Sequence, residues 1–289
     1  MFGQPELMVM CGLSGSGKTT IGNQIKSKLK CEMISTDDIR AELGDVNDQK
    51  QNPNVFRIFY KRLKKLLREK KTVIADATFL SLKDRRRLMR EVNRVKNPFR
   101  KEIIVVGRKF EDCLRLNSQR DRVVPEEVIY RQRSKFQIPF KEEGWDDIHI
   151  IAKGDIEYGE LVVSMKGFDQ KNPHHKWDLL THSIFVWNNF EKKGYGKVDG
   201  AILHDYGKLF TQTIDDNGVG HYYNHENVGA YEIMTKYNNG TDLDMLFLIN
   251  YHMSPFGWTT DKAARKWKRV FGEEKFKILK DFHECDKGD

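Results

Sequence analysis

The stretch Gly12-Leu13-Ser14-Gly15-Ser16-Gly17-Lys18-Thr19 fits the pattern G-x-x-x-x-G-K-[ST]. Its glycines let backbone N–H groups curl around phosphate oxygens where a Cβ would clash. Lys18 is placed to reach the β- and γ-phosphates of a bound nucleotide, and Thr19 to hold Mg²⁺. Gly12, Ser14, Gly15, Ser16, Gly17, Lys18, Thr19 and Thr20 form the expected nucleotide-binding set.

Three further signals follow in the first half. In Ser35-Thr36-Asp37-Asp38-Ile39-Arg40 a carboxylate can accept a proton from an attacking hydroxyl. An arginine one helical turn later can grip a substrate phosphate. The other reading of Asp37 or Asp38 is a helix N-cap. Asp76 ends an apolar run, as a Mg²⁺-water ligand does or as a turn residue does. Arg120 and Arg122 stand before Val124-Pro125 and a short helix, either as a lid over transferring phosphates or as a solvated charged face. Two basic runs, 57–71 and 83–101, either track a phosphate backbone or form the outer faces of helices.

Histidine is unevenly placed. Only His149 precedes position 170; the other eight follow it. His182, His204-Asp205, His225, His252 and Asp286 each fall on or beside a separate helical pattern, and a helical bundle can converge such side chains. Imidazole with carboxylate suits Mn, Fe, Co, Ni or Zn. Lys208 follows Asp205 by one turn, where its ammonium can meet a phosphate. Lys197-Val198-Asp199-Gly200 matches the K-x-D-G of covalent nucleotidyltransferases, but it runs straight into the helix bearing His204-Asp205, so a ligase is rejected.

The elements that must position these groups are of two kinds. Short apolar runs at 7–11, 32–35, 72–76 and 102–106 alternate with helical patterns at 20–29, 55–67 and 82–95. This is the signature of a parallel sheet covered by helices, with active groups at the carboxyl ends of strands. From about 173 onward the patterns are helical only. The expected architecture is an α/β phosphate-loop NTPase domain at 1–163, a linker at 164–173 and an all-α domain at 174–289. A formal net charge of +8 favours a polyanionic partner. Four scattered cysteines, no signal peptide and no membrane-spanning run point to a reducing, cytoplasmic setting.

The phosphate loop, S-T-D-D-I-R, Ala75-Asp76-Ala77-Thr78 and Asn117-Ser118-Gln119-Arg120-Asp121-Arg122 with Val124-Pro125 together resemble the kinase domain of polynucleotide 5′-kinases of the phage and bacterial RNA-repair type. Zeta-toxin-like and other small-molecule kinases share part of this pattern. The resemblance implies ATP, or another nucleoside triphosphate, with Mg²⁺. It makes Asp37 the general base and gives Arg40 the acceptor's phosphate. Lys18 and Thr19 hold the donor, Arg120 with Arg122 forms the lid and joins the nucleotide-binding set, and Asp76 supports the acceptor site. The stretch 201–208, with Thr181-His182-Ser183 and Asn224-His225-Glu226-Asn227, resembles the HD phosphohydrolase superfamily. That likeness implies His182, His204, Asp205 and Asp286 as metal ligands. His225 and His252 would bind a second metal or the phosphate, Asp205 would bridge, and Lys208 would contact phosphate. His175 is kept as a pocket residue.

The two resemblances imply a bifunctional end-healing enzyme. It would phosphorylate 5′-OH ends with ATP and remove 3′- or 2′,3′-cyclic phosphate from RNA or DNA, leaving ends for a separate ligase. The alternatives are a small-molecule kinase fused to a nucleotidase, and an RNA-binding or sensing protein whose HD domain is inactive.

Overall fold

The computed structural model describes residues 4–44, 52–173, 176–196 and 198–287. The chain divides into two compact units. One joins Met1–Pro125 with Pro139–Ile151, and the other joins Glu126–Ile138 with Ala152–Asp289.

Apolar runs buried on both faces build the first unit. Strands β1 (Glu6–Cys11), β2 (Glu32–Ser35), β3 (Val73–Asp76), β4 (Arg100–Val106) and β5 (Asp147–Ile151) form one parallel sheet in the order β2-β3-β1-β4-β5. Helices α1 (Lys18–Leu29), α2 (Thr36–Glu42), α3 (Asn52–Arg68), α4 (Leu82–Val92) and α5 (Phe110–Ser118) connect or follow the strands. This is the expected parallel sheet with flanking helices, and it fits a phosphate-loop NTPase. Ile21 and Ile25 of α1 pack on Met8, Met10, Ile74, Ile104 and Val106. Leu29, which follows Ile21 and Ile25 at the same four-residue spacing, is 51% exposed in the helix's last turn. Sequence patterning misses β5, which pairs only with β4 at the sheet edge and has little burial to impose a pattern.

Register sets the level of the strand ends. Asp76 pairs with Met10 of β1 on one side and with Ser35 of β2 on the other. The residues that follow β1, β2 and β3 therefore emerge side by side.

The second unit is helical: α6 (Glu126–Arg133), α7 (Tyr158–Ser164), α8 (Leu179–Phe190), α9 (Asp199–Ile202), α10 (Lys208–Thr211), α11 (His225–Lys236), α12 (Leu243–Tyr251) and α13 (Asp261–Asp286). It is not wholly α. A short antiparallel hairpin joins β6 (Thr213–Ile214) to β7 (Gly220–His221). The backbone of α13 leaves helical conformation at Gly272, with φ of 78°.

The expected boundary at 164–173 differs from this division. Residues 126–138 lie with the helical unit because its polar side chains clasp their backbone. Asn227 donates to Ser134 O at 2.9 Å, Tyr251 donates to Ile138 O at 2.9 Å, and Asn250 Oδ1 accepts from Ile138 N–H at 2.5 Å. Arg133 pairs with the buried Glu232 at 2.7 Å, and Phe136 meets Tyr231 edge-on at 5.3 Å. No helix among the described residues is long and apolar enough to cross a membrane.

One basic residue of the run 83–101 is not on an outer face. Arg85 is fully buried and bonds Glu143 through Nε and Nη2 at 2.7 and 2.8 Å, while Nη1 donates to Phe79 O and Leu80 O. A buried charge left alone is costly. Glu143→Ala is therefore expected to destabilise the first unit by roughly 3–5 kcal/mol. Replacing both partners by apolar residues should recover much of that loss, as read from chemical denaturation.

Candidate functional site

The first unit's site is built at the carboxyl ends of its strands. The turn after β1 brings backbone so close that Cβ atoms are excluded. A Cβ on Gly12 would lie 2.4 Å from Val106 O, and one on Gly15, at φ of 82°, would lie 2.2 Å from Cys113 O. Lys18 opens α1, is buried, and donates to Leu13 O at 2.7 Å. Burial pulls its pKa below the ordinary lysine value, with Asp76 opposing. Thr19 donates from its hydroxyl to Asp76 Oδ2 at 2.9 Å. Burial pushes the Asp76 carboxyl up, with Lys18 and the Thr19 bond acting against it. A hydroxyl and a carboxylate side by side at the loop are oxygen donors of the kind Mg²⁺ prefers.

A cavity of about 340 Å³ is lined by Gly15, Gly17, Lys18, Thr19, Thr20, Arg108, Leu116 and Arg120. Gly12, Ser14 and Ser16 belong to the same turn but do not line it. Arg108 was not singled out from sequence. It follows β4 by two residues and donates from Nε to Ser16 O at 3.4 Å. Its position just past a strand end was the available signal.

Asp37 does not cap α2; Ser35 does, its hydroxyl accepting from Asp37 N–H at 3.1 Å. The Asp37 carboxylate instead meets Arg40 at 2.7 Å and Arg122 at 2.9 Å, both through Oδ1. Burial alone would raise its pKa, but Arg122, then Arg40 and Arg120, outweigh it and hold the carboxyl below its usual range. Arg40 also donates to Asn52 Oδ1 at 2.8 Å. The arginine pair is thus divided: Arg120 lines the nucleotide cavity, and Arg122 sits on Asp37.

The second unit gathers the histidines. His182 comes from α8, His204 and Asp205 from the turn after α9, His225 from the start of α11, His252 from the end of α12 and Asp286 from the end of α13. All except Asp286 are almost fully buried. Asp205 Oδ2 faces His204 Nε2 at 3.2 Å, His182 Nε2 at 3.5 Å and Lys208 Nζ at 2.7 Å. Its other oxygen, Oδ1, faces His225 Nε2 at 3.0 Å and His252 Nε2 at 3.6 Å. Asp286 Oδ1 lies 3.2 Å from His182 Nε2 and 3.4 Å from His204 Nε2.

The outer ring nitrogens explain why the inner ones converge. Nδ1 of His204, His225 and His252 each meets a backbone carbonyl, of Ala201, Tyr222 and Ile249, at 2.8–2.9 Å. Those bonds place a proton on Nδ1 and turn Nε2 inward, where it can offer a lone pair once its own proton is displaced. Burial works against charge on His204, but Asp205 and then Asp286 outweigh it and push its pKa up to about 10. The two carboxylates thus call for positive charge at this point. Asp205 is held well below the ordinary range by His204 and Lys208, against its burial. Burial lowers the pKa of His252. Mixed imidazole and carboxylate donors in this arrangement fit a divalent transition metal.

Lys208 is buried and also donates to Gln170 Oε1 at 2.8 Å. A cavity of about 290 Å³ opens over the cluster, with Asp205, Lys208, His225, Asp286, Tyr222 and Tyr223 in its wall. His221 binds the surface residue Asp215 at 3.0 Å. His175 and Lys197 lie outside the described residues, whereas Asp199-Gly200 open α9.

Residues 7–139, a little under half of the chain, match a family model described as an AAA domain. Among solved structures, a chain of the Pnkp1/Rnl/Hen1 RNA repair complex is similar at 18% identity and a TM-score of 0.41, over 46% of this chain and 44% of that one. A putative kinase from Chloroflexus aurantiacus is similar at 15% identity and a TM-score of 0.43, over 52% and 88% of the two chains. Kti12 from Chaetomium thermophilum, in complex with ADP-AlF3, is similar at 20% identity and a TM-score of 0.42, over 50% and 88%. The phosphate loop, parallel sheet and flanking helices of the first unit fit a P-loop NTPase domain, a fold that implies ATP and Mg²⁺.

Arg108 is expected to bear on the nucleotide's phosphates as Lys18 does. Arg108→Ala should weaken ATP binding by roughly tenfold or more, the scale of one lost hydrogen bond to a charged group. Isothermal titration with ATP·Mg²⁺ measures it.

Proposed function

We propose that this chain heals nucleic-acid ends, most directly RNA ends. Its first unit would phosphorylate a 5′-hydroxyl, and its second would remove a 3′- or 2′,3′-cyclic phosphate. The observation that carries the reading is the divided role of Asp205. One carboxylate oxygen faces His182 and His204, and the other faces His225 and His252, beside a buried lysine. A site of this kind, on the same chain as a kinase-like site, suits two reactions on phosphate esters.

In the kinase reaction Lys18 neutralises charge on the transferring phosphate, and Thr19 supplies a hydroxyl to the Mg²⁺ of ATP. Asp37, ionised at neutral pH, takes the proton of the attacking hydroxyl. Arg40 orients the acceptor through its phosphate, with Asp76 fixing the floor of the site through Thr19. Arg120 and Arg108 approach the nucleotide cavity, and Arg122 sets the position of Asp37.

In the second unit, His182, His204, Asp205 and Asp286 would hold one divalent ion of the Mn, Ni, Co, Fe or Zn type. His225 and His252 would hold a second such ion, with the other oxygen of Asp205, or the substrate's phosphate. Metal bound there supplies Lewis acidity and a nucleophile at neutral pH. Lys208 brings its ammonium to the substrate phosphate. The fused HD-type hydrolase, its metal and the downstream ligase are parts of this proposal.

The test uses an RNA oligomer with a 5′-OH and a 2′,3′-cyclic phosphate, ATP, and Mg²⁺ or Mn²⁺, with both ends analysed. Lys18→Ala and Asp37→Ala should each slow 5′ phosphorylation by at least ~10²-fold. Asp205→Ala should abolish release of the 3′ phosphate together with bound transition metal, while 5′ phosphorylation persists. A phosphatase that survives Asp205→Ala removes the second half of the reading. Equal activity on free nucleosides and oligomers turns the first half toward a small-molecule kinase.

A further inference from the structure

A second cavity in the first unit, of about 430 Å³, is larger than the nucleotide cavity and lies apart from it. Arg57, Tyr60, Lys61, Lys64, Arg68, Arg87 and Glu91 line it. Five of these seven are cations, and they come from two helices. Arg57, Lys61, Lys64 and Arg68 recur on α3 at intervals of four, three and four residues, so they form a single stripe along one face. Arg87 faces them from α4, its guanidinium 5.6 Å from the Tyr60 ring and 5.9 Å from that of Phe56.

The arrangement is costly without an anion. Like charges at such spacings on a helix repel, each pair by a few tenths of a kcal/mol. A solvated helix face relieves this with nearby carboxylates, and other cations of α3 find them outside the helix: Arg62 pairs with Glu42, and Lys65 approaches Glu69 at 3.9 Å. Within the cavity only Glu91 is acidic, and it is taken by Lys64 at 2.5 Å and by Arg94 at 3.1 Å. Arg57 is held by the neutral Asn54 at 2.7 Å. Among the described residues, Lys61 and Arg68 meet no carboxylate.

The stripe has a direction. Asn52, the first residue of α3, accepts from Arg40, the arginine placed at the acceptor end of the kinase site. Arg57 stands five residues further on. From Arg57 to Arg68 the stripe runs roughly 16 Å at the helical rise per residue. Point ligands such as a single phosphate would need one or two of these cations. A row of them needs a row of charges.

The geometry points to a phosphate-backbone track: the groove between α3 and α4 binds the strand of a single-stranded nucleic acid beyond the 5′-terminal nucleotide held at Asp37 and Arg40. This rests on the proposed kinase reading for its direction, but the groove's affinity for the strand does not. Tyr60 is buried and Phe56 half-buried beneath Arg87, so the aromatic pair holds that guanidinium toward the groove, and the contact with the strand is made through its phosphates.

The experiment measures binding without ATP. A fluorescent single-stranded RNA of about 12 nucleotides, within the usual range of single-strand sites, is titrated by anisotropy across a salt series. The proteins are the full chain, Lys61→Ala/Arg68→Ala, and Lys26→Ala/Lys28→Ala, which removes the same charge from α1. The groove variant should lose affinity by about tenfold and flatten the log–log salt slope by about 1.4, the value for two phosphate contacts on a single strand. The α1 variant should keep both. Thermal unfolding should place the groove variant at or above the unsubstituted protein, since repulsion along α3 is relieved.

Undiminished affinity and slope in the groove variant would overturn the track. Equal losses in both variants would overturn it too, since net charge alone would then explain the binding. If the chain phosphorylates no 5′-OH end, yet only the groove variant loses the strand, the kinase reading falls and the track stands. If 5′-kinase activity is present while binding ignores the groove, the reverse holds.

Discussion

The parallel pairing of β3 with both β1 and β2 is the constraint on which the first unit's chemistry depends. It ends three strands at one level, with Asp76 opposite Met10 and Ser35. Lys18 and Thr19 then rise from the turn after β1, and Asp37 from the helix after β2. A one-residue slip of β3 would turn Asp76 to the other face of the sheet and take its carboxylate from Thr19. The buried apolar residues of β1 and β3 oppose that slip. Packing of methionine, valine and isoleucine side chains thus fixes where the charges stand.

The second unit solves a different problem. It buries several ionisable groups in one place, where an isolated charge is strongly disfavoured. It does so by fixing three of the four imidazoles, those of His204, His225 and His252, from outside through a carbonyl one turn earlier on the chain, and by facing the inner nitrogens with two carboxylates. Asp205 faces four histidines and a lysine, so its carboxylate compensates all five in one place. The glycine at 207 belongs to the same construction. A Cβ there would lie 1.9 Å from His225 O, so α11 can bring His225 onto Asp205 only over a residue without a side chain.

Much of this was legible in the sequence because the chemistry is local. A glycine turn between an apolar run and a helix, or a His-Asp dipeptide with a lysine one turn on, carries its meaning within eight residues. What was not legible depends on distant partners. Arg85 reads as one more cation of a basic run, and only Glu143, 58 residues away, makes it a core residue. Residues 126–138 read as a continuation of the kinase-like half, because nothing in them announces the asparagines at 227 and 250 that clasp their backbone. Arg108 looks like any arginine after a strand until the loop's Ser16 carbonyl is placed beside it. The second basic run shows the same limit: read as a phosphate track or as an outer helix face, it gave no sign that one of its arginines is buried.

Asp37 brings these strands of argument together. Its carboxylate is held below the ordinary range by arginines, and a weakened base is a poor proton acceptor. On the proposed reading two of these arginines, Arg40 and Arg120, have other partners in the reaction. Arg40 turns to the acceptor's phosphate, and Arg120, which lines the nucleotide cavity, turns to the donor's. Each phosphate that draws a cation's charge away from Asp37 lets its pKa rise and its basicity return. The base would then be strongest when both substrates are present and weakest when neither is. That ordering suits a kinase, because a strongly basic carboxylate beside bound ATP would also activate water. On that reading Arg40 and Arg120 would couple the protonation of Asp37 to the occupancy of the two phosphate sites through Coulomb forces alone, while Arg122 stays on the carboxylate and holds it in place.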